Sequence, residues 1–536
     1  MNIAVLKRPC FIAVTWVAGL IPVQAEITTY DWPTAPGQAI RSEHYRVFVR
    51  EGDGPESEVD VLQANAIYEG GRYVDGEAAD LKGRTFSFAQ LSYLPGHKPA
   101  RIRIEKISGD PAEAISVAPR SYNLVTRTEP AEKKAVVEID RPSRYFSVTF
   151  DADDNRTRYH GWIKHMLAVF VDPAERDIPR PGEAGVVRFD PERPARDYAT
   201  ARVVYFPPGY HDLTAAPTTS LIRREGELRL ANGQAAYLAG GAYVEGHISG
   251  DGERHRVFGR GVLTGRRYEW NKKVRRSFVE LGGEAVVEGI TITSPPLHGV
   301  VSGDRSEIRN VKIMGWHWNN DGFRPGWRSK VRDCFMRCAD DFFYNYALDV
   351  RRCVLWPAHN GSILTFGWQD RPAGGSLLQN IDIISPEWVA LQNNNGLVMS
   401  QNTYTFRPSE GTTVLRDIRI EGSIPGIVNI KPHAKRDAWA DSPRPLPKSD
   451  LSRIGHIGEI LLEDITVEDQ FSRGVIRGGK PAISGTDIVW PAQNIAFTNV
   501  SISGVVVDDS TKHRFLRIDT QTTRNLTFSS DSRKRQ

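Results

Sequence analysis

One short apolar unit recurs eight times in the second half of the chain. Its copies are VEGITI (287–292), IRNVKI (308–313), VRDCFM (331–336), VRRCVL (350–355), LQNIDI (378–383), LRDIRI (415–420), LEDITV (462–467) and FTNVSI (497–502). In most of them two apolar residues flank one polar residue, usually with a polar pair or a glycine just before. The central positions are Ile290, Val311, Cys334, Cys353, Ile381, Ile418, Ile465 and Val500, at steps of 21, 23, 19, 28, 37, 47 and 35 residues. A unit this short cannot bury its apolar side alone, so it must stack on its neighbours. β-Branched residues dominate, and neither regular leucines nor an asparagine at a fixed offset is present, which sets aside a leucine-rich repeat. The expectation is a right-handed parallel β-helix over 201–530.

The stretch before the repeat is patterned differently. YRVFVR (45–50), RIRIEKI (101–107), KAVVEID (134–140), YFSVTF (145–150) and MLAVFVD (166–172) alternate in character and are separated by turns. They predict a half-buried antiparallel β-sandwich over 26–172. Residues 173–200 are rich in Pro, Arg and Glu and read as a linker. The fold class expected is therefore all-β, and 47 glycines and 33 prolines agree with many turns.

At the N-terminus, Lys7 and Arg8 precede an apolar run from Phe11 to Val23 and the small-residue site Val23-Gln24-Ala25. This reads as a signal peptide, residues 1–25, cleaved after Ala25, because thirteen apolar residues are too few to cross a ~30 Å hydrocarbon core as a helix. The expectation is a secreted or periplasmic protein without a membrane anchor. Loss of the signal lowers the formal charge from +4 to +2, a weak field that calls for no nucleic-acid partner. Cys334, Cys338 and Cys353 then remain. An odd number cannot form a full disulfide framework, so they read mainly as core residues, with one disulfide joining Cys334 to Cys353 or Cys338 as the alternative.

Chemistry concentrates in two neighbouring units. Asp321 lies in WNNDGF, and the doublet Asp340-Asp341 follows 19 residues later in RCADDFFYNY, about one coil further on. Inverting hydrolysis of a glycosidic bond needs one protonated carboxyl and one carboxylate about 6.5 to 9.5 Å apart, and adjacent coils supply that order of spacing. Crowded like charges also raise the pKa of one member, although spacing alone leaves open which one. Aromatic and amide residues surround the trio. Trp318, Tyr344 and Trp368 are expected as walls for sugar rings, with Asn320, His359 and Asn360 as hydrogen-bonding contacts.

At these residues the chain resembles glycoside hydrolase family 49, the dextranase and isopullulanase family, and more distantly the polygalacturonases. The most specific element is an aspartate in a Trp/Asn-rich turn followed 19 residues later by Asp-Asp. The segments YFPPGYHDL (205–213) and LAGGAYVEGHI (238–248) extend the likeness over most of the mature chain. The resemblance implies a β-sandwich joined to a right-handed parallel β-helix, and an inverting mechanism without metal or cofactor. It also implies Asp340 as general acid, with Asp321 and Asp341 in the base role. An α-glucan, dextran-like or pullulan, is the implied substrate, and a monomer is expected. Two departures stand out. Tyr344 occupies a place where the family often has a lysine, and His359-Asn360-Gly361 and Arg419-Ile420-Glu421 replace the basic uronate-binding pattern of polygalacturonases. Rival readings are another polysaccharide hydrolase, a β-helix polysaccharide lyase using Ca²⁺ and a base such as Arg324, or a glycan-binding β-helix without activity.

Overall fold

The computed structural model describes residues 26–34, 40–66, 77–96, 99–219, 221–268, 277–366, 373–391, 395–400, 411–431, 435–436, 444–445, 457–479 and 491–530. The leader read at 1–25 and Trp368 lie outside the described residues.

Two sheets face each other in the N-terminal part. One runs in the order Glu26–Thr28, Thr85–Leu94, His165–Pro173, Arg144–Asp151, Ala114–Ala118, with Val61–Asn65 also pairing to Thr85–Leu94. The other is built from Ser57–Val59, Tyr45–Glu51, Ala100–Lys106, Lys134–Ile139 and Thr126–Glu129. Alternation works as expected at the outer sheet, where Ala100–Lys106 buries every second residue. One pairing departs from the antiparallel expectation, since His165–Pro173 runs parallel to Thr85–Leu94. Both strands are buried almost throughout. That is the situation in which parallel pairs occur, and both faces being covered is the reason.

The remainder is a right-handed parallel β-helix whose coils visit three strand stacks, here sheets 1 to 3, of which sheets 1 and 2 join into one 20-stranded sheet and sheet 3 is the 12-stranded one. Sheet 1 includes Glu307–Arg309 and Lys330–Arg332, sheet 2 includes Lys312–Met314 and Phe335–Cys338, and sheet 3 includes Phe323–Arg324, Phe343–Tyr344 and Ser362–Thr365. In later coils sheets 1 and 2 are served by one bent strand, such as Asp349–Pro357 or Leu377–Ile384. The repeat's eight central positions are all buried, and those of the later coils pair in direct register: Cys353 on Ile381, then Ile418, Ile465 and Val500. Cys334, Cys338 and Cys353 are buried free thiols.

Just before each central position the backbone bends. Gly289, Asn310, Asp333, Arg352, Asn380, Asp417, Asp464 and Asn499 all have φ between 52° and 79°. Gly, Asn and Asp tolerate this left-handed region best, which explains why the repeat carries them there. The segment read as a linker is integrated as well. Val186–Arg188 pairs with Val203–Phe206 in sheet 1, and Phe189 and Tyr198 are buried in the helix core.

The six-stranded sheet of the sandwich lies on the outward face of sheet 2. Phe86, Phe88 and Phe170 from the sandwich share one core with Met314, Trp316, Phe335 and Trp356, and Phe170 and Phe335 stand 5.1 Å apart. Outward-facing charges on sheet 2 are consequently buried. Lys312 pairs with Asp172 at 2.8 Å, and both side chains are inaccessible to solvent.

Candidate active site

The three aspartates cluster where the chain turns from sheet 2 into sheet 3. In successive coils this turn is 294–299, 315–322, 339–342 and 358–361, and the next one starts at 385. The sheet 3 register, Val300 on Phe323 on Phe343 on Leu364, continues back into the turn. The Gly299 amide donates to Asp321 O and the Gly322 amide to Asp341 O, both at 2.9 Å, and the Phe342 amide donates to Ser362 O at 2.8 Å. His298, Asp321, Asp341 and Ser362 therefore form one ladder, a residue per coil. Asp340 stands one residue along, directly under Gly361. A side chain at Gly361 would meet the Asp340 carbonyl carbon at 2.0 Å, and its φ of 84° also favours glycine.

Each carboxylate has its own set of partners. Asp321 Oδ2 accepts the Tyr344 hydroxyl at 2.5 Å and lies 2.9 Å from His298 Nδ1. Asp341 Oδ1 accepts the Ser362 amide at 2.9 Å and its hydroxyl at 2.8 Å. Asp340 Oδ2 accepts the Asn319 amide at 2.9 Å and Asn360 Nδ2 at 3.0 Å, while Oδ1 accepts the Asp341 amide at 3.0 Å. All three are buried, with Asp340 the most open at 7% exposure against 2% for Asp321 and 1% for Asp341. Burial, reinforced by the nearby charge of Asp321, pushes the Asp340 carboxyl up to about 7. Asp341 is pushed well above the ordinary carboxylate range by burial and then by Asp340 and Asp321.

The expected contact residues divide into two groups. Asn320 is fully occupied in building the turn: its Oδ1 accepts the Trp316 and His317 amides at 2.7 and 2.8 Å, and its Nδ2 donates to Pro295 O and Leu297 O. Asn360 and Tyr344 hold carboxylates, and the Tyr344 ring is covered by Arg324 at 5.0 Å and stacked on Tyr346. Trp318 is half-buried at the edge of the cluster, 6.3 Å from the His359 ring. His359 is buried, and desolvation together with Arg337 lowers it to about 3, so it is neutral.

Residues the sequence reading passed over complete the surroundings. His298 and Ser362 lie 23 residues before Asp321 and 21 after Asp341, so the coil period was a usable signal for both. The sandwich contributes Trp162, 6.4 Å from His359 and stacked on His160 at 4.6 Å; nothing periodic announces these. Behind the turn, Glu387 binds Arg84 of the sandwich at 2.8 Å and Arg337 at 2.8 Å. Arg337 also donates to Gly315 O at 2.6 Å. Burial alone would raise the Glu387 carboxyl, but Arg337 and Arg84 outweigh it and hold it at about 2.

The carboxylate trio lies at one turn of a parallel β-helix flanked by a docked β-sandwich, and the chain's relatives make it a glycoside hydrolase. No protein-family model matches the chain. Its relatives are dextranases: it is 23% identical over 476 residues to one from Arthrobacter globiformis, covering 74% of this chain and 72% of that protein. It is 26% identical over 220 residues to one from Talaromyces minioluteus, covering 36% of each. Dex49A from Penicillium minioluteum shares the fold, with a TM-score of 0.70 at 18% identity over 93% of this chain and 96% of that one. The likeness to glycoside hydrolase family 49 read from the aspartate motif stands.

Proposed function

We propose that this glycoside hydrolase acts outside the cytoplasm on an α-glucan, cutting α-1,6 linkages of a dextran-like polymer or the linkages of pullulan with inversion. The observation that carries the reading is Asp340. It is a carboxyl able to hold a proton near neutral pH, fixed by three donated hydrogen bonds and set one coil from Asp321. One strand spacing and one residue along the chain separate the two Cα atoms by roughly 6 Å, so diverging side chains can reach the separation that leaves room for water.

Asp340 donates its proton to the glycosidic oxygen as the bond from that oxygen to the anomeric carbon breaks. Water bonds to the anomeric carbon from the opposite face and gives its proton to Asp321, which His298 and Tyr344 orient. Asp341, fixed by Ser362, helps position that water. The relatives' names support the α-glucan. Asp340→Asn is expected to fold normally and to lose kcat by about 10²- to 10⁴-fold. Proton NMR of early product is expected to show the β-anomer first. Near-normal hydrolysis by Asp340→Asn would sink the assignment, and the α-anomer appearing first would sink inversion.

A further inference from the structure

The catalytic turns belong to a stack, and the stack continues past them. Two to four coils beyond Asp340, the turn that carries Glu387-Trp388, the strand end that carries Ser423 and the bend at Phe471 face the sandwich segment 156–163 across a cavity of about 520 Å³. At the coil spacing this places it ~10 to 19 Å from Asp340 along the helix axis. The Trp162 ring connects the two regions, since it lines the cavity and lies against His359, whose neighbour Asn360 binds Asp340.

The chemistry of the lining is specific. Trp388 lines the cavity and is 3% exposed, and its buried indole Nε1 has no hydrogen-bond partner among the described residues. Phe471 is 52% exposed, leaving an apolar ring free at the rim. Each charged lining residue has a partner: Arg156 is paired with Asp151 at 2.7 Å, Glu387 with two arginines, and His160 Nδ1 lies 2.9 Å from Asp80 Oδ2. Rings, hydroxyls and an unused N–H without a free charge suit an uncharged polyhydroxylated ligand. A uronate would meet no unpaired cation among these lining residues.

We propose that this groove is a remote subsite for a neutral saccharide chain, formed jointly by the sandwich, the turn at 385–389, the strand end at Ser423 and the bend at Phe471. It rests on the function proposed above and adds that the sandwich takes part in binding long substrates. A chain lying along the coil axis reaches the subsite only if it extends several sugars from the scissile bond.

The test compares wild type with Phe471→Ala and with Ser423→Trp, which fills the groove, on dextran and on the shortest isomalto-oligosaccharide hydrolysed, with pullulan as a second polymer. Circular dichroism and the melting temperature verify folding. The ratio of kcat/KM for polymer to that for the short substrate is expected to fall about tenfold in each variant, through KM, with a shift in product lengths. An unchanged ratio in both folded variants overturns the subsite and leaves the proposed function standing. Failure of the wild type to cleave either polymer overturns both.

Discussion

Asp340, the proposed acid, shows most directly what a buried carboxyl costs. An aspartate in an unfolded chain ionises near 3.8, whereas Asp340 in the folded protein holds its proton to about 7. Between these values the folded state binds more protons than the unfolded one, so stability falls as pH rises through the window and the full penalty is present above pH 7. A gap of that size corresponds to a few kcal/mol, roughly 4 at most. Asparagine cannot ionise, although its amide sits less well against the donor of Asp341. The melting temperature of Asp340→Asn relative to wild type is therefore expected to climb between pH 4 and pH 8. Parallel curves across that range would contradict the assignment of the raised carboxyl. The same titration removes the acid form, so wild-type kcat/KM should decline on the alkaline side of about pH 7. From sequence, the three aspartates were legible because a coil period separates Asp321 from the doublet. The proposed split between acid and base was not, because it depends on burial and on donors such as Ser362 and Asn319.

Among the elements, the bend between sheets 1 and 2 is the most regular feature. The apolar centres of the repeat were readable because each must point inward, whereas the left-handed geometry of the residue before them needs backbone angles to recognise. Arg352 is the poorest fit of the eight, a long side chain at φ 53° held over Asp333 by an exposed bidentate pair. Arg352→Asn should leave stability within about 1 kcal/mol, since exposed ion pairs contribute little and asparagine suits the bend. Arg352→Val should cost roughly 1–2 kcal/mol more, because a β-branched residue is strained there. Chemical denaturation of both variants checks this, and equal stability would argue against a strained bend. His298 belongs to the same lesson. It lies one coil before Asp321, yet a lone histidine without its register carries no signal.

At the scale of the molecule, the two parts are joined by charge as well as by rings. Arg84 of the sandwich, Glu387 and Arg337 form a buried chain that ends on the carbonyl of Gly315, where the turn carrying Asp321 begins. Removing the anion strands two buried guanidiniums, so Glu387→Gln is expected to destabilise the protein by about 3–5 kcal/mol. Scanning calorimetry should show the loss, and an unaltered transition would mean the network contributes little. None of this docking was legible, because the outward residues of sheet 2, Lys312 and Arg337 among them, look like solvent-facing positions until a second domain covers them. The one-residue bend has a last consequence, for how such a chain can change over generations. Because each of the eight repeat coils re-enters the left-handed region at the same place, each restarts the register of inward and outward positions. Strands Thr413–Ile424 and Ile457–Gln470 stay in register although their central positions lie 47 residues apart. Insertions and deletions at the turns can then accumulate without a frameshift in the core, leaving the groove free to be remodelled.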